Sequence, residues 1–231
     1  MKFYKLTYDM KYDVEMEKKG VLLVNAEYCN VDDLTYEDPN GDKSKNLAKG
    51  RFHTVFYENI KFDLEKNKIS NWSSPMFYYY ANNGTVETEY LNSMYNWPII
   101  HESVKQAFNE IGVKGVQYLP ILLCEIVDDP NTPGFGMLNP DGEMSLEYVA
   151  INTLNFINAY DMNLCKYNYD EKLNYYFFKY DGVYLDKEVC KDYDIFRCRL
   201  DPVPLYVSER IKDLVEEKGW KGFCFDEMKT N

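Results

Sequence analysis

The sequence predicts a mixed α+β protein, with a β-rich N-terminal part (1–93) followed by a C-terminal α+β part (94–231) that holds two equivalent helix–strand units. Three observations predict it. Residues 208–225 read as a helix closing into a strand. Residues 101–118 repeat that pattern 107 positions earlier without a gap. Residues 1–93 show short alternating apolar runs broken by turn residues, with little helical periodicity.

The second unit is the clearer of the two. Ser208 is placed as a helix N-cap, its hydroxyl free to accept from an amide of the first turn. Glu209 puts a negative charge at the positive end of the helix dipole. Ile211, Leu214 and Val215 form an apolar stripe, with the stem of Lys218 at its edge. Gly219 falls where a left-handed residue ends a helix, and Gly222 opens the short strand Phe223-Cys224-Phe225. Upstream, Ile195 to Leu200 alternates, with Phe196, Cys198 and Leu200 on one side and Arg197 and Arg199 on the other; strand, helix, strand is the simplest reading.

In the first unit, Glu102, Lys105, Glu110, Gly112, Lys114 and Gly115 stand where Glu209, Lys212, Glu217, Gly219, Lys221 and Gly222 stand in the second. Val104, Ala107, Phe108 and Ile111 form the matching stripe. Recurrence of both glycines implies recurrence of both backbone turns. Two copies are too few for a solenoid, so the reading is an internally duplicated domain.

These residues resemble the immunity protein eleven family of bacterial polymorphic-toxin systems, whose pattern is a Val-Ser-Glu helix start followed by a turn between two glycines into a strand. The matching residues are Val207-Ser208-Glu209, Gly219 to Gly222, Ile151-Asn152, Asp161 and Phe196-Arg197, over about residues 94–228. His101 departs from it, standing where the first copy would carry Ser. The resemblance implies a non-enzymatic protein that protects its producer from a cognate toxin.

Elsewhere, Phe3 to Tyr8 alternates as a strand, with Tyr4, Leu6 and Tyr8 on one face. Val21 to Val24, Thr54 to Tyr57 and Ile60 to Leu64 are further strand candidates, and residues 65–68 suggest a hairpin connection. The turn Asp38-Pro39-Asn40-Gly41-Asp42 fails as a calcium loop, because its glycine comes fourth in the run rather than sixth. Tyr78-Tyr79-Tyr80 precedes a turn at Asn82-Asn83-Gly84. Leu119 to Val127 extends the first unit's strand, and residues 128–143 form a Pro/Gly loop. Tyr148 to Ile157 carries mixed strand and helix signal. Tyr175 to Tyr180 turns through Asp181-Gly182 into Val183-Tyr184-Leu185, a hairpin signal.

Charge and composition narrow the function classes. The formal net charge is −12, and residues 125–194 supply most of it, with 14 acidic against five basic side chains. Such a surface disfavours nucleic acid and anionic membranes and attracts a basic protein. No apolar run is long enough for a transmembrane helix, and the polar start lacks a secretory signal, so a cytoplasmic location is expected. The six Cys form no Cys-x-x-Cys pair and read as reduced thiols, those at 124, 198 and 224 inside strands. With two His and scattered Cys, no metal site is expected, nor any cofactor. His53 reads as packed in a strand and His101 as a cap, so no catalytic residue is assigned; Trp97 and Trp220 read as packing at the unit ends.

The expected function is therefore a cytoplasmic stoichiometric inhibitor of a basic cognate toxin. Asp128, Asp129, Asp141 and Glu143 are the candidate contacts, because their loop is acidic and long enough to reach a cleft. Two alternatives stand beside it: an enzyme using a pocket between the two parts, and a structural or adaptor module.

Overall fold

The computed structural model describes residues 1–11, 27–28, 76–80, 88–91, 98–128, 136–138 and 144–231. The strand readings at 21–24, 54–57 and 60–64, the turns at 38–42 and 82–84, His53 and Trp97 lie outside these residues. Along the chain come β1 (Phe3–Tyr8), β2 (Glu27–Tyr28), β3 (Met76–Tyr80), β4 (Tyr90–Leu91), β5 (Ile99–His101), α1 (Glu102–Glu110), β6 (Val116–Pro120) and β7 (Leu122–Asp128). There follow β8 (Gly136–Leu138), β9 (Met144–Ser145), β10 (Tyr148–Thr153), β11 (Phe156–Ile157), β12 (Tyr167–Asp170), β13 (Tyr175–Phe178) and β14 (Tyr184–Leu185). The chain closes with α2 (Lys187–Cys190), β15 (Ile195–Cys198), β16 (Asp201–Ser208), α3 (Glu209–Lys218), β17 (Phe223–Glu227) and β18 (Lys229–Thr230). The protein is thus a mixed α+β structure in which strands predominate.

Two sheets organise it, in the orders β4-β5-β10-β6 and β15-β16-β1-β17, with β11 added in parallel outside β15. In each, the strands before and after a helix are separated by one antiparallel strand. Their registers correspond pair for pair. Ile151 lies opposite Tyr118 as Leu6 lies opposite Phe225, and Tyr148 opposite His101 as Phe3 opposite Ser208. Val113 N–H bonds the Phe108 carbonyl as Trp220 N–H bonds the Val215 carbonyl, at 2.9 and 3.2 Å. Gly112, Gly115, Gly219 and Gly222 all have φ between 67° and 87°. Gly222 shows why: a Cβ there would overlap the Tyr90 backbone carbonyl.

The two sheets turn their helix-bearing faces toward one shared core. It joins Val104 and Phe108 of α1, Ile211 of α3, Ile100 and Val149 of the first sheet, and Tyr4 and Val207 of the second. The edges meet reciprocally. Tyr90 N–H of β4 bonds the Lys221 carbonyl at 3.3 Å, while the Asn155 side chain bridges the carbonyls of Lys114 and Ile195, at 3.2 and 2.9 Å. A smaller core behind the second sheet gathers Phe3, Ile157, Tyr160, Leu185, Phe196 and Tyr206.

Several sequence expectations change. A boundary at residue 94 crosses both sheets, because β1 lies between β16 and β17 and β4 pairs with β5. The strand feeding α3 is β16; the alternating segment 195–198 is its antiparallel neighbour. Pro202 and Pro204 hid β16, and they sit where its register with β15 shifts. Leu119 to Val127 is not one strand: β6 ends at Pro120, and β7 belongs to a different sheet, beside β3, β8 and β9. Asp181-Gly182 does not close a hairpin, since β13 pairs back onto β12 and β14 pairs in parallel with β18.

Candidate partner-binding surface

Of the four acidic candidates, Asp128 ends β7, its backbone opposite Gly136 of β8. Asp129, Asp141 and Glu143 lie outside the described residues; β8 ends at Leu138 and β9 begins at Met144 on the same neighbour, β7. β8 and β9 thus both pair with the strand that Asp128 ends.

The cap expected at His101 is formed and the cap expected at Ser208 is not. His101 holds an extended backbone, and its Nδ1 accepts from the Ser103 amide at 3.2 Å, which puts the ring proton on Nε2. Ser208 has the same backbone conformation but makes no side-chain cap; its hydroxyl donates to Asp194 Oδ1 at 2.7 Å. Arg210 binds the other Asp194 oxygen at 3.0 Å and also donates to the Ile111 carbonyl, tying the start of α3 to the end of α1. His101 therefore has a structural assignment. Trp220 packs against the shared core, as expected.

Arg197, which alternation placed opposite the apolar side of its strand, is buried. Its guanidinium donates to the carbonyls of Pro202 and Val203, holding the irregular start of β16. Burial lowers its pKa to about 10, which leaves it charged at neutral pH. Sequence periodicity could not reveal this, because the opposite face of β15 is covered as well.

A groove of about 380 Å³ opens beside the second sheet, between Lys5, Tyr180, Asp201, Pro204, Asp226 and Met228 among its lining residues. At its base the Tyr160 hydroxyl lies 2.6 Å from that of Tyr206 and donates to Asp201 Oδ2 at 3.2 Å. Desolvation raises the Asp201 pKa, opposed by the Tyr160 hydrogen bond and the Lys5 charge. Burial pushes both tyrosines far above the phenol range, so they serve as neutral donors. Lys5 Nζ stands 5.6 Å from the centre of the Tyr180 ring. No signal in the sequence grouped these residues, which come from five separated segments.

Among the described residues, Cys165, Cys190, Cys198 and Cys224 are free thiols and no three potential ligands cluster for a metal ion. No helix among them is long and apolar enough to cross a membrane.

The described residues form a mixed α+β structure, mostly β, with two helices over a common core. The match to a known family is specific: the model of the Immunity protein family (Imm11) covers residues 2–230, and the chain belongs to that family. The match runs well beyond the 94–228 segment that carries the motifs and takes in β1, the central strand of the second sheet. No curated protein matches the chain.

Proposed function

We propose that this chain is the immunity member of a bacterial polymorphic toxin–immunity pair: it binds its cognate toxin and neutralises it stoichiometrically, without catalysing a reaction. The observation that carries this reading is the family match over residues 2–230. The charge supports it. A net charge of −12, concentrated between the two units, is complementary to a basic toxin and would speed its capture. Asp128, Asp129, Asp141 and Glu143 are proposed contacts on that surface, and the cytoplasm is the proposed place of action. The paired units are proposed to descend from one duplicated unit.

The test is to look for a toxin-like gene beside this one and to co-express its product with this protein. Growth rescue together with a 1:1 complex of nanomolar or tighter affinity supports the reading; toxicity unaffected by the folded protein overturns it. Association should also slow as salt rises, since exposed charges are screened over about 8 Å at physiological ionic strength.

The groove at Asp201 favours a second reading, an enzyme of unassigned reaction. Burial alone accounts for the direction of the Asp201 shift, and its carboxyl is already engaged by Tyr160, so the immunity reading stands first.

A further inference from the structure

The groove beside the second sheet has the volume of a small-ligand site, about 380 Å³. Its lining is apolar at Phe178, Val183, Pro204 and Met228. Across it runs the row Tyr206, Lys5 and Asp226, opposite one another on the neighbouring strands β16, β1 and β17. Apolar walls with a few polar groups on a rigid strand row are the usual make-up of a ligand site.

The charges of that row do not satisfy each other. Lys5 and Asp226 are cross-strand neighbours, a placing in which opposite charges ordinarily attract. Yet no ion pair joins them. The Lys5 ammonium stands 5.6 Å from the centre of the Tyr180 ring. The exposed Asp226 carboxylate has no partner among the described residues. Asp201 is not available in its place, because it accepts from the Tyr160 hydroxyl and the Val203 amide.

Charge balance selects the ligand. Lys5, Lys179 and Lys229 line the groove, against Asp181, Asp201, Asp226 and Glu227. Glu227 is already paired with Lys2, at 3.0 Å, so the two signs cancel. A bare anion or a bare cation would meet as much repulsion as attraction here. A sugar would use the Tyr180 ring, but Lys5 already makes that contact. A molecule carrying its own ammonium and carboxylate matches both open charges. In an α-amino acid the two groups share one carbon, and directly opposed side chains start only about 5 Å apart, so one molecule reaches both. Each contact would be a charge-assisted hydrogen bond.

We propose that this groove binds an α-amino acid as its zwitterion. Lys5 takes the carboxylate, Asp226 takes the ammonium, and a large apolar side chain lies against Phe178, Pro204 and Met228. This site goes beyond the immunity reading and does not depend on it.

The test titrates the full-length protein with L-phenylalanine and follows backbone amide shifts by NMR. One molecule should bind per chain with a dissociation constant of about 1 mM or tighter, as suits a ligand of this size, and should shift the amides of Lys5, Tyr206 and Asp226. N-acetyl-L-phenylalanine, which lacks the ammonium, and L-phenylalanine amide, which lacks the carboxylate, should each bind about tenfold more weakly or worse. Lys5→Met and Asp226→Asn should weaken L-phenylalanine by a similar factor, while Asp213→Asn on α3 should leave it unchanged. Asp226 is exposed, so its variant should keep the thermal midpoint of the wild type and carries the test if Lys5→Met fails to fold. No binding of L-phenylalanine up to about 10 mM overturns the proposal. So does binding of either derivative, or of the Asp226→Asn variant, within twofold of the parent pair. Tighter binding of glucose than of L-phenylalanine makes the groove a sugar site and overturns it as well. In none of these cases is the immunity reading touched, since neutralisation of a toxin is measured separately.

Discussion

The two sheets share a backbone plan and differ in what lies on their outer faces. In the first, the cross-strand row Ile99, Ala150 and Leu119 is apolar and buried. The matching row of the second is Tyr206, Lys5 and Asp226, of which only Tyr206 is fully buried. On the inner faces the match is closer: Ile100 and Val149 correspond to Val207 and Tyr4, all in one core. The inner face holds the pair together and had to stay apolar in both. The outer faces differ, one sealed and the other open as a groove bordered by Tyr180.

The comparison can be broken at the core first. Phe108 and Val215 occupy matching positions on α1 and α3, 1% and 3% exposed. Phe108→Ala should cost about 3–5 kcal/mol and Val215→Ala about 2 kcal/mol by denaturant unfolding, because the larger side chain leaves the larger cavity. Equal costs would mean that the two helices do not share one core.

The four glycines give the next test. Gly112→Ala and Gly219→Ala meet open space, so each should cost only the left-handed backbone penalty, about 1–2 kcal/mol. Gly222→Ala adds a clash with the Tyr90 carbonyl and should cost clearly more than Gly219→Ala, by thermal or chemical denaturation. In Gly115→Ala the obstruction is the Asn155 side chain, which can move only by giving up its bonds to Lys114 and Ile195.

How much of this was legible follows from which forces act locally. Ser208, Gly219 and Gly222 signal a helix start, a helix end and a turn through their own backbone preferences, and the chain could be read there directly. The pairing of β1 with β16 and β17 is set by which apolar faces meet, across some 200 residues, and leaves no local mark. Capping was legible at His101 and not at Ser208. Ser208 has the right chemistry, but Asp194 claims its hydroxyl, while the less usual His101 caps α1. Asp201 and Tyr160 are unremarkable in sequence, and only folding brings them to the groove. The acidic middle segment was visible as composition, whereas its aromatic hairpin was misread because Asp181-Gly182 is the stronger turn signal by residue type.

Asp201 sharpens the difference between the outer faces through pH. Its pKa is raised in the folded state, mainly by desolvation, so folding binds its proton more tightly. The cost of burying its charge is absent below its ordinary value of 3.8 and grows as pH rises through the folded value. Asp201→Asn should therefore raise the thermal midpoint at pH 7, and the gap to the wild type should close as pH falls below about 4. A constant gap across that range would remove this account.

The smallest effect is expected at Tyr118, the counterpart of Phe225. Its hydroxyl has no hydrogen-bond partner among the described residues, and burial pushes its pKa to about 12. Tyr118→Phe gives the first unit the ring of the second, so stability should stay level or rise by up to about 1 kcal/mol. A loss of that size in chemical denaturation would reveal a role for the hydroxyl.

β1 also sets a clock. It lies inside the second sheet, yet both strands that pair with it, β16 and β17, come some 200 residues later in the chain. Synthesis at about 5–20 residues per second makes it wait on the order of 10–40 s before that sheet can close. Until then β1 has neither of its pairing strands, so a chain part-way through synthesis holds the first strand of that sheet and none of its neighbours.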